Sequence, residues 1–125
     1  MLDHITLGVA DFERATDFYD KALAPLGVDR IMQFDQDGVQ VVGYGEAGKP
    51  YFWLQNAALT QGPLHVAFAA PDRASVDAFY AAAMAAGGTD NGAPGVRAHY
   101  HPNYYGAFVL DPEGKNIEAV CHTAV

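Results

Sequence analysis

Glu118 is the side chain of this sequence that most needs a partner. It lies in Asn116–His122, where Ile117, Ala119 and Cys121 alternate with Glu118, Val120 and His122, the period of a strand. A carboxylate inside an apolar strand is costly to bury without a charged or hydrogen-bonding group beside it. Two imidazoles sit in comparable settings. His4 shares a strand face with Thr6 and Gly8, opposite Ile5, Leu7 and Val9, while His65 goes with Ala67 and Ala69, against Leu64, Val66 and Phe68. Two imidazoles and one carboxylate on rigid strands are what a divalent metal needs while keeping open positions. The same three groups also suit a metal-free polar cluster in which an imidazole, neutral or charged, satisfies the carboxylate.

The second concentration of chemistry is HYHPNYYG, His99–Gly106. A strand is expected near Val96–His101, which would turn Arg97, His99 and His101 to one side and Tyr100 to the other. A His-x-His pair can bind metal, but substrate contact or proton transfer is the stronger expectation, since Asn103, Tyr104 and Tyr105 follow. Imidazole titrates near neutral pH and a phenol can donate to a developing oxyanion. His99, His101 and Tyr105 are therefore candidate catalytic residues, and Arg97, Asn103 and Tyr104 candidate substrate contacts. Equally, the loop could pack its rings over the sheet and use its hydroxyls to fix backbone.

These groups need elements to hold them. Ala107–Leu110 is apolar and β-prone, and Asp111-Pro112-Glu113-Gly114 has the composition of a type I turn leading into the Glu118 strand. At the other end, a strand is expected over roughly Leu2–Val9. Asp11 then offers a helix cap, and Phe12, Ala15, Tyr19, Ala22, Leu23 and Leu26 recur at helical spacing. Pro25 and Gly27 end that helix. Strands follow at about Val28–Phe34, Val39–Gly45 and Tyr51–Gln55. The pattern then repeats. HITLGVADFERATDFY (His4–Tyr19) lies over HVAFAAPDRASVDAFY (His65–Tyr80), matching His4 to His65, Asp11 to Asp72 and Phe18-Tyr19 to Phe79-Tyr80. A duplicated β-α-β-β-β unit is the economical interpretation. It divides a single domain, 1–125, into units 1–61 and 62–125, related by a pseudo-twofold that can bring His4 and His65 to one cavity. The repeat also sets Trp53 at the place of Glu118, where its ring would make a flat wall for an aromatic or planar substrate. Cys121, opposite Glu118, is expected to be an inert core thiol.

Composition narrows the classes. The chain has 125 residues, half of them hydrophobic, enough for one sizeable core. A formal charge of -8 with seven Lys and Arg argues against nucleic acid or an anionic membrane as partner. No basic-then-apolar leader and no membrane-length apolar run is present. A single cysteine excludes an intrachain disulfide. A cytoplasmic domain is the expectation.

LDHITLGVADFERATDFY, GPLHVAFAAPDRASVDAFY and FVLDPEGKNIEAV together resemble the vicinal oxygen chelate superfamily over nearly the whole chain. That superfamily includes glyoxalase I, extradiol dioxygenases, methylmalonyl-CoA epimerase, manganese-dependent fosfomycin-resistance enzymes and metal-free bleomycin-resistance proteins. The resemblance implies an α+β fold of two tandem βαβββ units, forming a curved mixed β-sheet around a central cavity with helices outside. It implies His4, His65 and Glu118 as ligands of a divalent metal (Fe, Mn, Zn or Ni), and a small-molecule substrate with vicinal oxygens. It also implies a homodimer. The chemistry could be isomerase, lyase, addition or ring cleavage. In glyoxalase I a fourth position carries a carboxylate; here it falls on Trp53, which departs from that enzyme and leaves a 2-His-1-carboxylate set. The alternative is a metal-free protein, similar to the bleomycin-resistance proteins, that binds a small aromatic or cationic compound without turnover.

Overall fold

The computed structural model describes residues 1–125. Two helices and eight strands follow one another as two β-α-β-β-β units. The first comprises β1 (Ile5–Gly8), α1 (Phe12–Leu23), β2 (Asp29–Gln36), β3 (Val39–Glu46) and β4 (Lys49–Gln55). The second comprises β5 (His65–Ala69), α2 (Arg73–Ala85), β6 (Thr89–Val96), β7 (Tyr105–Leu110) and β8 (Asn116–Cys121). Each unit makes its own open mixed sheet, in the orders β1-β4-β3-β2 and β5-β8-β7-β6. The first strand of each pairs in parallel with the last, and the remaining ladders are antiparallel. The duplication is thus visible in the topology.

Local chemistry accounts for the elements. Asp11 accepts from the Arg14 N–H at 3.1 Å to start α1, and Asp72 does the same for Ser75 at 2.7 Å in α2, each satisfying an amide the helix cannot. A short 3-10 turn, Ala24–Leu26, follows α1 and stops at Gly27, whose φ of 77° a side chain would resist. One face of each sheet is buried under the helices. Phe18, Tyr19, Ala22 and Leu23 of α1 and Val76, Phe79 and Ala83 of α2 join Val42, Tyr44, Phe52, Leu54, Phe68, Val109 and Ile117 in one core. Phe52 meets Tyr19 at 5.1 Å and Phe68 at 5.2 Å between ring centroids, tying the two units together. The opposite face of each sheet is open.

A further tie runs through the β7–β8 turn. Asp111 is buried, accepting from the Tyr19 hydroxyl at 2.5 Å and from the Glu113 and Lys115 amides at 2.9 Å. Glu113 reaches across to accept the Ala10 and Asp11 N–H groups at 2.9 Å. The second unit's hairpin therefore holds the start of the first unit's helix.

Two expected strands are corrected. β1 starts at Ile5, the first residue with a ladder partner (Phe52); Leu2 is exposed. β6 is Thr89–Val96, and the segment expected as strand, Val96–His101, is largely a turn. The Arg97 N–H donates to the Tyr104 carbonyl at 2.7 Å, closing the loop between β6 and β7.

Candidate functional site

Strand register builds the site. His65 faces outward on β5, two residues before Ala67, which is paired with Glu118 on β8. Phe108 on β7 is Glu118's partner on the other side. The His65 Nε2 lies 2.8 Å from Glu118 Oε1. The Tyr104 hydroxyl donates to Glu118 Oε2. So the partner that Glu118 requires is twofold, an imidazole and a phenol. The carboxylate is 1% exposed whereas the His65 side chain is 51% exposed, which leaves the pair reachable from one side only. Burial first, and then the adjacent carboxylate, push the Tyr104 phenol well above its ordinary pKa, so it remains a proton donor. Gly106 permits this contact: a Cβ there would come within 3.2 Å of both Glu118 Oε2 and the Tyr104 ring.

Beside Tyr104 sits a histidine pair that the sequence did not single out as a pair. His101 Nε2 and His122 Nδ1 are 2.7 Å apart, and the Tyr104 ring packs edge-on to both imidazoles. The Asn103 N–H donates to His101 Nδ1 at 3.0 Å. That nitrogen must then be an acceptor, so neutral His101 carries its proton on Nε2 and donates to His122. His122 in turn holds its proton on Nε2, facing away from the pair. Its place on the Glu118 side of the strand alternation was the available signal.

The remaining candidates are scattered. His99 is exposed and packs at a tilt against Tyr100, with ring centroids 4.1 Å apart, in the turn. Tyr105, paired with core residue Cys121, faces the helices, and its hydroxyl donates to Asp77 of α2 at 2.6 Å. Arg97 lies over the Phe108 ring at 5.3 Å. Trp53 pairs with Thr6, as Glu118 pairs with Ala67, so the repeat register places Trp53 on the open face of the first sheet, flat against Gly43. His4 immediately precedes β1, the edge strand of that first sheet. Its Nδ1 is 2.7 Å from Asp3, and it borders a cleft of about 370 Å³ with Ile5, Tyr51, Phe52, Val66 and Phe68. Within one chain, His4 does not join His65 and Glu118, and no three His, Cys, Asp or Glu side chains converge to hold an ion. The His65–Glu118 pair has the donor chemistry of half a divalent-metal site.

Fold and sequence agree on the class. The model of the Glyoxalase/Bleomycin resistance protein/Dioxygenase superfamily matches residues 1–119, and the chain belongs to that superfamily. Among solved structures it is similar to a glyoxalase/bleomycin resistance protein from Albidiferax ferrireducens, with 29% identity, a TM-score of 0.76, and 97% of this chain and 98% of that one covered. It also superposes on glyoxalase I from Zea mays at 24% identity and a TM-score of 0.73, covering 97% of this chain and 46% of that one. A glyoxalase-related enzyme from Fulvimarina pelagi matches at 20% identity and a TM-score of 0.68, over 97% and 87% of the two chains. The last two likenesses speak to the fold alone. Among curated protein sequences none matches. No helix is long and apolar enough to cross a membrane.

Proposed function

We propose that the protein is a metal-dependent enzyme acting on a small molecule with vicinal oxygens, its site lying over the open face of the second sheet and completed by a second copy of the chain. The observation that supports this is the split of the donor set. His65 and Glu118 meet at 2.8 Å on one open sheet face, while the repeat-equivalent His4 lies just before β1, at the edge of the first sheet. In a homodimer that lays the first sheet of one copy against the second sheet of the other, His65 and Glu118 would be joined by His4 of the partner subunit. Such a divalent cation would bind adjacent substrate oxygens and stabilise negative charge developing there.

The chain's own residues do the rest. Tyr104 fixes the Glu118 carboxylate by its hydroxyl, so that Oε1 stays on the His65 side. Phe108 flanks His65 with ring centroids 5.9 Å apart and supplies an apolar floor. For a reaction that moves a proton, the His101–His122 pair is the available acid–base group on this face, because His99 and Tyr105 are directed elsewhere.

The test is subunit complementation. His4→Ala and Glu118→Gln are each expected to lose metal when analysed alone. After mixing and subunit exchange, the heterodimer regains one intact site of its two, and metal returns to about a quarter of all sites in a fully exchanged equimolar mixture. Metal retained in either single variant, or none recovered on mixing, refutes the shared site.

A second interpretation has its own support: Glu118 is satisfied on both oxygens by His65 and Tyr104 within the chain. A metal-free protein binding a small aromatic or cationic compound would use that cluster as it stands. It predicts ligand binding indifferent to chelator and no turnover.

A further inference from the structure

We infer that the substrate taken by this face is an anion, and that Arg97 binds its carboxylate at the end opposite the His65–Glu118 pair. The inference rests on the proposed site and names the class of molecule it accepts. Arg97 is held in a slot. Its Nη1 donates to the Gly95 carbonyl at 2.8 Å and its Nη2 to the Ala93 carbonyl at 2.7 Å. The guanidinium lies 5.3 Å from the centre of the Phe108 ring. Glycines make the slot possible: a Cβ on Gly92 would sit 3.1 Å from Nη2, and one on Gly95 3.2 Å from Nη1. Every partner is a neutral carbonyl or a ring, and no carboxylate pairs with this cation. Its charge is thus uncompensated, its geometry is fixed, and three of its five N–H donors are free for a ligand.

Placement gives the specificity. In the sheet order β5-β8-β7-β6 the Phe108 strand stands between β5, which bears His65, and β6, which Arg97 follows. The Phe108 ring lies 5.3 Å from the guanidinium and 5.9 Å from the His65 ring. A planar molecule lying across Phe108 therefore meets a fixed cation at one end and the imidazole–carboxylate pair at the other. In a chain of formal charge -8, the surface as a whole repels anions. A single preorganised guanidinium beside the site then decides which anions enter it.

Calorimetry with 3,4-dihydroxybenzoate, catechol and 3,4-dihydroxybenzylamine separates the possibilities, on the dimer loaded with Zn(II) and again in chelator. All three offer the same vicinal oxygens, and only the charge opposite them differs. The benzoate is expected to bind about tenfold or more tighter than catechol, the worth of one charge-assisted contact. Arg97→Gln should erase that preference, and Arg97→Lys should keep part of it. Gly95→Ala, which presses on the guanidinium without removing it, should reduce it. Affinities for all three that chelator leaves unchanged, with a preference for the benzoate that vanishes in Arg97→Gln, would remove the metal reading and leave the anion site standing. Equal affinity for benzoate and catechol, tighter binding of the benzylamine, an unchanged preference in Arg97→Gln, or binding of none of the three would overturn the anion site.

Discussion

Replacing Tyr104 by Phe removes one hydroxyl and keeps the ring against Tyr100, His101 and His122. The bond lost is the one to Glu118 Oε2, on a carboxylate that is 1% exposed. Water cannot easily replace the donor, so the cost is that of a charge-assisted hydrogen bond, about 2 kcal/mol. For a chain of this size that lowers Tm by roughly 6–10 °C. In a Glu118→Gln background the same change severs a neutral bond and should cost about 1 kcal/mol. The difference between the two backgrounds is the charge-dependent part of the coupling. Urea unfolding followed by Trp53 fluorescence and far-UV circular dichroism, with chelator present so that no metal contributes, measures the wild type and the three variants. A loss within about 0.5 kcal/mol of zero in the wild-type background, or equal losses in both backgrounds, would show that Glu118 does not depend on the phenol.

Three other outcomes follow from geometry already described. Gly43→Ala would place a Cβ 2.7 Å from the Trp53 ring, so the variant should shift Trp53 emission and lose about 1–3 kcal/mol; an unchanged spectrum would mean the indole does not rest there. Glu113→Ala removes the acceptor for the Ala10 and Asp11 amides and should cost about 1–2 kcal/mol, with faster hydrogen exchange at those two amides as the specific sign. The Tyr51 phenol is pushed up to about 12 from 10.0, by burial and then by Glu46. Its neutral form is favoured in the fold, so the stability it contributes is complete below pH 10 and is lost as pH rises towards 12. Tyr51→Phe should flatten that alkaline slope, by less than full burial would imply because the residue is only partly covered.

Much of this arrangement was legible in the residues, and the failures have physical causes. The β7–β8 hairpin was readable because Asp111-Pro112-Glu113-Gly114 specifies its own turn, and alternation on either side fixes the faces. The repeat marked His4 and His65 as equivalent positions, and the structure brings His65 of the two to Glu118 through the β5–β8 pairing. β6 was misplaced because Thr89–Val96 is rich in Gly, Asp, Asn and Pro, poor strand formers. Pairing with β7 holds it extended, with register shifts at Asp90, Gly92 and Gly95, and that pairing is a tertiary fact. His99-Tyr100-His101 has strand composition but closes a turn, so its side chains do not alternate across a sheet. Tyr104 as the second partner of Glu118 depends on that turn and on the missing side chain of Gly106. Neither leaves a periodic trace. The separation of His4 from His65 within one chain follows from how the two sheets pack, which the repeat alone does not specify.

The contact between Glu113 and the start of α1 runs in one direction. The first unit's hairpin turn, Ala47-Gly48, carries no side chain that caps α2, which relies on its own Asp72. Two halves built on one plan have therefore become unequal, one serving as a splint for the other. The strand that bears Glu118 begins just after the turn that grips the first helix, so the carboxylate's strand and the start of α1 share one anchor. The reverse path, from the first hairpin to the second helix, lacks such a lever. Drift in the two halves of the sequence should consequently be felt unequally, with the linking turn the least free to change.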